Sequence, residues 1–457
     1  MVRQLSEKTD TRLERVQLSC IVAFCVIQLL FLLPETQELG AVVAARRYLA
    51  PLVGVLFFAA SALRGFQGKG WAAAALSAFM LLWIGVIFTL HTIIRHQECW
   101  FTHAVACSYL LGLPMAYAFR DGARQRGLNI VLGLFVIEGL SLSVHGLMLY
   151  FGVLPASLSS LVFWHSRRLT QILNSIFCGT YLMLGVGCCL AFCLKASRKW
   201  LKALWLLLAA LQFVVMLMTD CRASIGCTCI LIGGVVFCVV RKTGWKRLLP
   251  AAIAGLAAAA LLFVVYQNAN FSPARVSVRQ EDTVQETQAD AQEETEAPGS
   301  AQAGAPAEQV SLSRRDFFNE IGTFNTRTNI WSATIAVLRE EPRILLTGCS
   351  DDLSGRIHQR FNHAHNSFLQ ATYSLGLPGL LAAIGITLLT FRAAIITLWR
   401  NDDLWKSCLA ILTVCLFLCG MLEAYLFISG QETLCLGFFF LTLTGYLHSW
   451  CPRKAKQ

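Results

Sequence analysis

Long apolar segments separated by short polar stretches cover most of the chain. Each runs for roughly 18 to 25 residues, the length with which an α-helix crosses about 30 Å of hydrocarbon. The pattern predicts an all-α integral membrane protein with about 12 transmembrane helices. The predicted spans are 16–33, 49–63, 71–94, 100–119, 128–153, 172–194, 200–219, 223–240, 248–266, 375–398, 407–428 and 431–449.

The composition supports a membrane protein and excludes a soluble one. Hydrophobic residues make up 56% of the chain and charged residues only 14%, against about 25% in soluble domains. The net charge of +11 therefore reflects loops beside a membrane, and we expect no nucleic acid partner. Most of the 18 cysteines lie within apolar runs and show no paired CxxC spacing, so we expect neither disulfide chemistry nor a metal from them.

Lys and Arg are concentrated in alternate short loops, beginning with the N-terminal segment. Such loops usually face the cytoplasm. We therefore expect both termini to be cytoplasmic, the long loop 267–374 to be extracytoplasmic and the protein to lie in the plasma (inner) membrane. The first apolar stretch lacks a small-residue cleavage site, which predicts a retained helix.

The long loop divides the chain into four predicted regions. Helices 1 to 9 occupy 1–266, and helices 10 to 12 with a cytoplasmic tail occupy 375–457. Between them, 267–312 is expected to be a disordered acidic insert, because 280–309 has no aromatic and almost no branched apolar residue. The remaining part, 313–374, contains enough apolar residues to fold. A helix over 325–341 is expected there, stopped by Pro342.

Four basic residues, at three places in the chain, are expected on the extracytoplasmic side. Arg222 lies in the tight turn between the seventh and eighth spans, and Arg327 lies in the ordered part of the loop. His363 and His365 lie where the loop returns to the membrane. Two guanidinium groups suit a diphosphate, whereas an imidazole can accept a proton from a hydroxyl near neutral pH. Together these residues predict sugar transfer from a polyprenyl diphosphate, with an imidazole as the base and the adjacent Asn366 either holding the substrate or fixing the ring.

Several short motifs resemble those of the O-antigen ligase and polymerase family of membrane glycosyltransferases. They are Thr219-Asp-Cys-Arg222, Asn325-Thr-Arg-Thr-Asn-Ile-Trp331, Glu341-Pro342, Leu346-Thr-Gly348, His363-Ala-His-Asn-Ser-Phe-Leu369 and Gly376-Leu-Pro-Gly379. The resemblance implies a GT-C type helical architecture and metal-independent transfer of an undecaprenyl-diphosphate-linked glycan without a cofactor. It also implies His365 as the base and Arg222 and Arg327 as diphosphate contacts. The chain departs from the family pattern in two places. Cys221 stands where the family often has Ser or Thr before its arginine, and the resemblance does not account for the insert 280–309.

Other polar residues allow both functional and structural interpretations. Glu423, near the outer end of the eleventh span, is expected to line the site, whereas Glu138 is expected to pair inside the bundle. Arg167 and Arg168 could add to the diphosphate contacts or bind lipid headgroups. His363 could bind substrate or stabilise the loop; in a helix it would point away from His365. A zinc site at the two histidines lacks a third ligand at a usable sequence spacing. The Asp351-Asp352 pair favours loop solvation over metal binding.

Two broader alternatives remain. A transporter or flippase of lipid-linked oligosaccharide shares this topology, but transporters usually place polar residues at the membrane midplane. A scaffold that recruits partners would not need the Arg and His residues. Within the transferase hypothesis, the expected partners are the donor, a glycan or lipid-glycan acceptor and membrane lipids. The sequence does not separate a ligase from a polymerase.

Overall fold

The computed structural model describes thirteen segments of the chain. They are 2–36, 39–66, 70–94, 102–159, 161–165, 168–171, 174–241, 248–268, 323–349, 353, 363–400, 402–427 and 434–451. Residues 269–322, which hold almost all of the predicted acidic insert, lie outside the described residues, as does the pair at 351 and 352. The chain forms two compact units, residues 1–271 with 330–457 and residues 272–329.

Helices make up nearly all of the described structure. They are α1 Val2–Leu32, α2 Gly40–Arg64, α3 Gly70–Ile94, α4 Val105–Ala118, α5 Asp121–Tyr150, α6 Ser175–Lys195, α7 Lys199–Met218, α8 Arg222–Arg241, α9 Leu248–Asn268, α10 Thr323–Glu340, α11 Arg343–Thr347, α12 Ser367–Arg400, α13 Leu404–Leu422 and α14 Leu434–Trp450. A short antiparallel hairpin, β1 Phe163–His165 and β2 Arg168–Thr170, joins α5 to α6.

The predicted fold class is confirmed. Within the described segments, ten helices are long and apolar enough to cross a membrane. The shorter apolar helices α4 and α14 coincide with two further predicted spans, and the total of twelve spans stays a prediction. The predicted loop helix over 325–341 corresponds to α10, which ends at Glu340 before Pro342.

Two local features differ from the expected pattern. Helix α12 begins at Ser367 and not near residue 375, and its backbone leaves helical geometry at Gly376. The first turns of this helix, 367–374, contain several polar residues, so the apolar pattern of the sequence begins only after them. The β1–β2 hairpin was not predicted, because its strands are only three residues long and give no periodic signal.

Helix α6 lies at the centre of the first unit. It packs against α5, α7, α8 and α13, and 83% of its most apolar stretch is buried inside the protein. Only 11% of α9 is buried, so most of its apolar surface is available to lipid. Where α8 meets α9, a Cβ added at Gly233 or Gly255 would lie 2.6 Å from the carbonyl oxygen of the other. Glycine at both positions therefore permits this close contact, as is typical of membrane helix pairs.

Helix α5 carries a buried acidic residue in the helix interior. Glu138 is 1% exposed, and neither of its carboxylate oxygens makes a hydrogen bond within the described residues. Arg46 of α2 is 5% exposed, donates a 3.1 Å hydrogen bond to Gln28 on α1 and lies over the Phe31 ring. Arg46 thus joins α1 and α2, whereas the pairing of Glu138 inside the bundle stays a prediction.

Two glycines hold α11 against the first turns of α12. A Cβ at Gly348 would lie 2.2 Å from the carbonyl oxygen of Ser374, and one at Gly376 would lie 2.7 Å from that of Leu345. Both residues have positive φ, +66° and +68°, which glycine adopts without strain. The Cys349 amide completes the contact by donating a 2.8 Å hydrogen bond to Tyr373. This packing explains physically why two of the motifs contain glycine.

Candidate functional site

The polar segment 363–366 lies immediately before α12 and is not helical. His365 has a φ of +45°, a left-handed conformation that is uncommon for a residue with a side chain. Two neighbours hold it there. The Ala364 amide donates a 2.8 Å hydrogen bond to the Gln370 side chain, and Trp331 Nε1 of α10 donates a 3.2 Å hydrogen bond to the His365 carbonyl oxygen.

The His365 imidazole is paired with Glu423, which follows the end of α13. Nδ1 of His365 lies 3.0 Å from Oε2 of Glu423, and the two side chains are 13% and 3% exposed. An ionised carboxylate can only accept hydrogen bonds, so in this pair Nδ1 is the nitrogen that would donate to Glu423. The predicted base and the predicted intramembrane carboxylate are therefore brought together.

Asn366 and Ser367 fix α12 to the end of α13. Asn366 Oδ1 accepts hydrogen bonds from the amides of Phe368 and Leu369, which caps the helix, while its Nδ2 donates to the Met421 carbonyl oxygen at 3.3 Å. The Ser367 hydroxyl lies 2.7 Å from the Gly420 carbonyl oxygen. The capping role of Asn366 was missed in the sequence; its predicted contact with substrate stays a prediction.

His363 lies beside His365 and does not point away from it. The ring centroids are 4.1 Å apart, and the His365 amide donates a 3.2 Å hydrogen bond to His363 Nδ1. The expectation of opposite directions assumed a helix, whereas this segment is a turn. Potential ligand atoms of His363, His365 and Glu423 all lie within 4.8 Å of one another. Glu423, at the end of α13, is thus a potential third ligand that the sequence spacing did not reveal.

Arg222 is the first residue of α8, directly after a sharp turn from α7. The turn depends on Asp220, whose φ of +48° is in the left-handed region. The buried Cys221 thiol contacts the Ser224 hydroxyl at 3.2 Å and the Ile176 carbonyl oxygen at 3.7 Å. Arg222 is half-buried, and the first amide groups of α8 carry partial positive charge because they lack partners within the helix.

The Arg222 turn and the segment after Glu423 both contact the start of α6. The Cys221 thiol lies 3.7 Å from the Ile176 carbonyl oxygen, and the ring centroid of Phe177 lies 6.1 Å from that of Tyr425. Burial raises the pKa of the Cys221 thiol, hydrogen bonds with Ser224 lower it, and the Glu423 carboxylate raises it further.

The hairpin brings one predicted arginine to the same turn. Nε of Arg168 lies 3.8 Å from Oδ2 of Asp220, and both side chains are partly exposed. The hairpin is held to the bundle by the fully buried Leu169 and by Gln171, which donates a 2.6 Å hydrogen bond to the Leu142 carbonyl oxygen. Arg168 is thus placed near the Arg222 turn, whereas Arg167 lies outside the described residues.

Arg327 lies in the first turns of α10, within the second unit. It is half-buried and precedes Trp331 by one helical turn. Its role as a diphosphate contact stays a prediction. The hydrogen bond from Trp331 to the His365 carbonyl oxygen was not predicted, although Trp331 is the last residue of the motif at 325–331.

These features define a helical membrane protein with a polar site formed at the ends of α6, α8, α12 and α13. Residues 207–384 match the family model described as O-antigen ligase, which confirms the resemblance to the O-antigen ligase and polymerase family. A glycosyltransferase-like role in O-antigen assembly follows from the match. The matched region contains Arg222, Arg327, His363 and His365 but ends before Glu423. A comparison with curated proteins found no significant match.

Proposed function

We propose that this protein transfers a glycan from an undecaprenyl-diphosphate-linked donor to a sugar hydroxyl of an acceptor. The reaction would take place at the outer face of the plasma (inner) membrane, with both termini in the cytoplasm. The His365–Glu423 pair carries the proposal, because a buried carboxylate lies 3.0 Å from Nδ1 of an imidazole, the arrangement in which a carboxylate orients a histidine base.

In the proposed reaction, Nε2 of His365 accepts the proton of the acceptor hydroxyl as its oxygen attacks the anomeric carbon of the donor. Glu423 fixes the ring through Nδ1 and stabilises the imidazolium that forms, as the aspartate does in hydrolase triads. The bond between the anomeric carbon and the diphosphate oxygen breaks, and the electron pair leaves with the polyprenyl diphosphate. In this scheme, the proton is accepted by a side chain of the protein, His365.

The departing diphosphate requires positive charge. Arg222 is suited to this role because its guanidinium stands at the N-terminus of α8, where backbone amides add to the electrostatic attraction. Arg327 would supply the second guanidinium, as the family motif implies. Arg168 adds a further positive charge beside the same turn. A metal ion is not required in this scheme, because the arginines neutralise the leaving group.

Purified full-length protein in nanodiscs tests the proposal. It is incubated with a polyprenyl-diphosphate oligosaccharide in EDTA, with and without a second glycan acceptor. Lipid-linked chains of increasing length without the second acceptor would identify a polymerase, whereas release of polyprenyl diphosphate only with that acceptor would identify a ligase. Loss of either product in Arg222→Ala is expected. Donor movement across a vesicle without any transfer would contradict the proposal and favour a flippase.

A further inference from the structure

His363, His365 and Glu423 have the composition of a zinc site. Two imidazoles and one carboxylate occur as the protein ligands of zinc, with a fourth position left for water or another ligand. Their potential ligand atoms all lie within 4.8 Å of one another. Among the described residues, these three form a group of His, Cys, Asp or Glu side chains close enough to hold one metal ion. Glu423 is buried and both histidines are half-buried, so the ligands are already ordered by their surroundings.

The distance between the two best-defined ligand atoms fits a tetrahedral metal. Nδ1 of His365 and Oε2 of Glu423 are 3.0 Å apart. Two ligands of a tetrahedral zinc ion are about 3.3 Å apart when each lies roughly 2.0 to 2.1 Å from the metal. A zinc ion can therefore replace the proton between these atoms with a shift of a few tenths of an ångström. The adjacent His363 ring supplies the third ligand.

Zinc at Nδ1 would change the protonation of Nε2. In the proposed reaction without metal, Nδ1 donates to Glu423 and Nε2 accepts the proton of the acceptor hydroxyl. When a neutral imidazole binds zinc through Nδ1, its proton moves to Nε2, and no proton is released from this ring. Nε2 can then no longer accept a proton from an acceptor hydroxyl.

We propose that His363, His365 and Glu423 form a zinc-binding site whose occupation switches off transfer. The proposed zinc binding rests on the ligand geometry alone, whereas its inhibitory effect rests on the proposed function. The site would make a metal-independent transferase sensitive to the zinc concentration outside the plasma membrane.

Zinc affinity is measured first, independently of catalysis. Untagged, metal-stripped protein in nanodiscs competes with a fluorescent chelator for Zn²⁺. One ion per chain is expected, with affinity lowered more than about ten-fold in His363→Gln and in Glu423→Gln, since each removes one of three ligands. Arg222→Ala is the matched control, which should bind zinc as the wild type does. Cobalt should show a tetrahedral visible spectrum in the wild type and lose it in both ligand variants. No stoichiometric binding, or unchanged affinity in the ligand variants, would overturn the site.

Inhibition is then measured as the rate of transfer relative to the zinc-free rate of the same variant. We expect zinc to inhibit the wild type, EDTA to restore the rate, and His363→Gln to need more than about ten-fold more zinc for half inhibition. A transferase that EDTA stops and zinc restores would overturn the inhibitory role. Zinc binding in a protein that transfers no glycan would contradict the proposed function and leave the zinc site supported.

Discussion

His365 and Glu423 meet at 3.0 Å although they are 58 positions apart in the chain. His365 is held immediately before α12, and Glu423 immediately after α13. The two segments are joined by Asn366 and Ser367, which bind backbone carbonyl groups at the end of α13. Packing of α12 against α13 therefore brings the pair together. The contacts that fix its geometry involve neither the His365 imidazole nor the Glu423 carboxylate.

Glu423→Gln tests the contribution of the carboxylate. The glutamine is nearly isosteric but no longer fixes the proton on Nδ1 or stabilises the imidazolium. We expect kcat to fall by about 10²- to 10⁴-fold, with little change in the KM for donor. Steady-state transfer measured at several donor concentrations separates the two parameters. An unchanged kcat would exclude Glu423 from the reaction. A fall in kcat that is accompanied by a clear fall in thermal stability would indicate a structural role.

Arg222→Lys and Arg222→Ala test the geometry of diphosphate binding. Lysine keeps the charge but not the planar pair of donors that matches phosphate oxygens. Since a hydrogen bond to a charged group contributes about 1.5 to 3 kcal/mol, we expect alanine to weaken donor binding by about ten- to hundred-fold. The lysine variant should lie between alanine and wild type. Equal donor affinity in all three proteins would show that Arg222 does not contact the diphosphate.

Asp220→Gly separates stability from function at the Arg222 turn. Asp220 has a φ of +48°, which glycine adopts more easily. The substitution is expected to maintain stability or raise it by up to about 1 kcal/mol. It also removes the carboxylate that lies 3.8 Å from Arg168 and would repel the diphosphate, so the KM for donor should fall. Apparent Tm and donor KM are measured together. A falling Tm with an unchanged KM would contradict this interpretation of the turn.

Gly348→Ala tests how α11 supports the start of α12. The added methyl group would lie 2.2 Å from the Ser374 carbonyl oxygen, and the φ of +66° adds strain. We expect a loss of about 2 kcal/mol or more, seen as a lower apparent Tm. Gly385→Ala on the same helix is the matched control, because nothing lies within 4 Å of its added Cβ. Equal Tm values for the two variants would mean that the contact between α11 and α12 does not support the bundle.

The sequence was sufficient to predict the helical membrane fold because hydrophobic length alone identifies such helices. It also singled out His365, Arg222 and Glu423 as candidate site residues, and their chemical roles stay predictions. It could not predict that His365 and Glu423 form a pair, because their separation of 58 positions carries no periodicity. The same limit applies to the zinc ligands, since Glu423 joins the two histidines only after α12 and α13 have packed.

Local backbone geometry accounts for the other differences. The His363–His365 segment was treated as helical, whereas its hydrogen bonds and the positive φ of His365 form a turn. Asn366 was interpreted chemically, although Asn directly before Ser367 is also a strong signal for a helix start. Recognising that signal would have placed the beginning of α12 at the observed residue.

Single-turnover release of polyprenyl diphosphate tests the central claim most directly. Wild type and His365→Gln, brought to equal folded amounts in nanodiscs with EDTA, are mixed with saturating donor and acceptor. The account predicts donor binding in both proteins, with the chemical step slowed about 10²- to 10⁴-fold in the variant. A variant that binds donor and releases polyprenyl diphosphate at the wild-type rate would show that His365 is not the base.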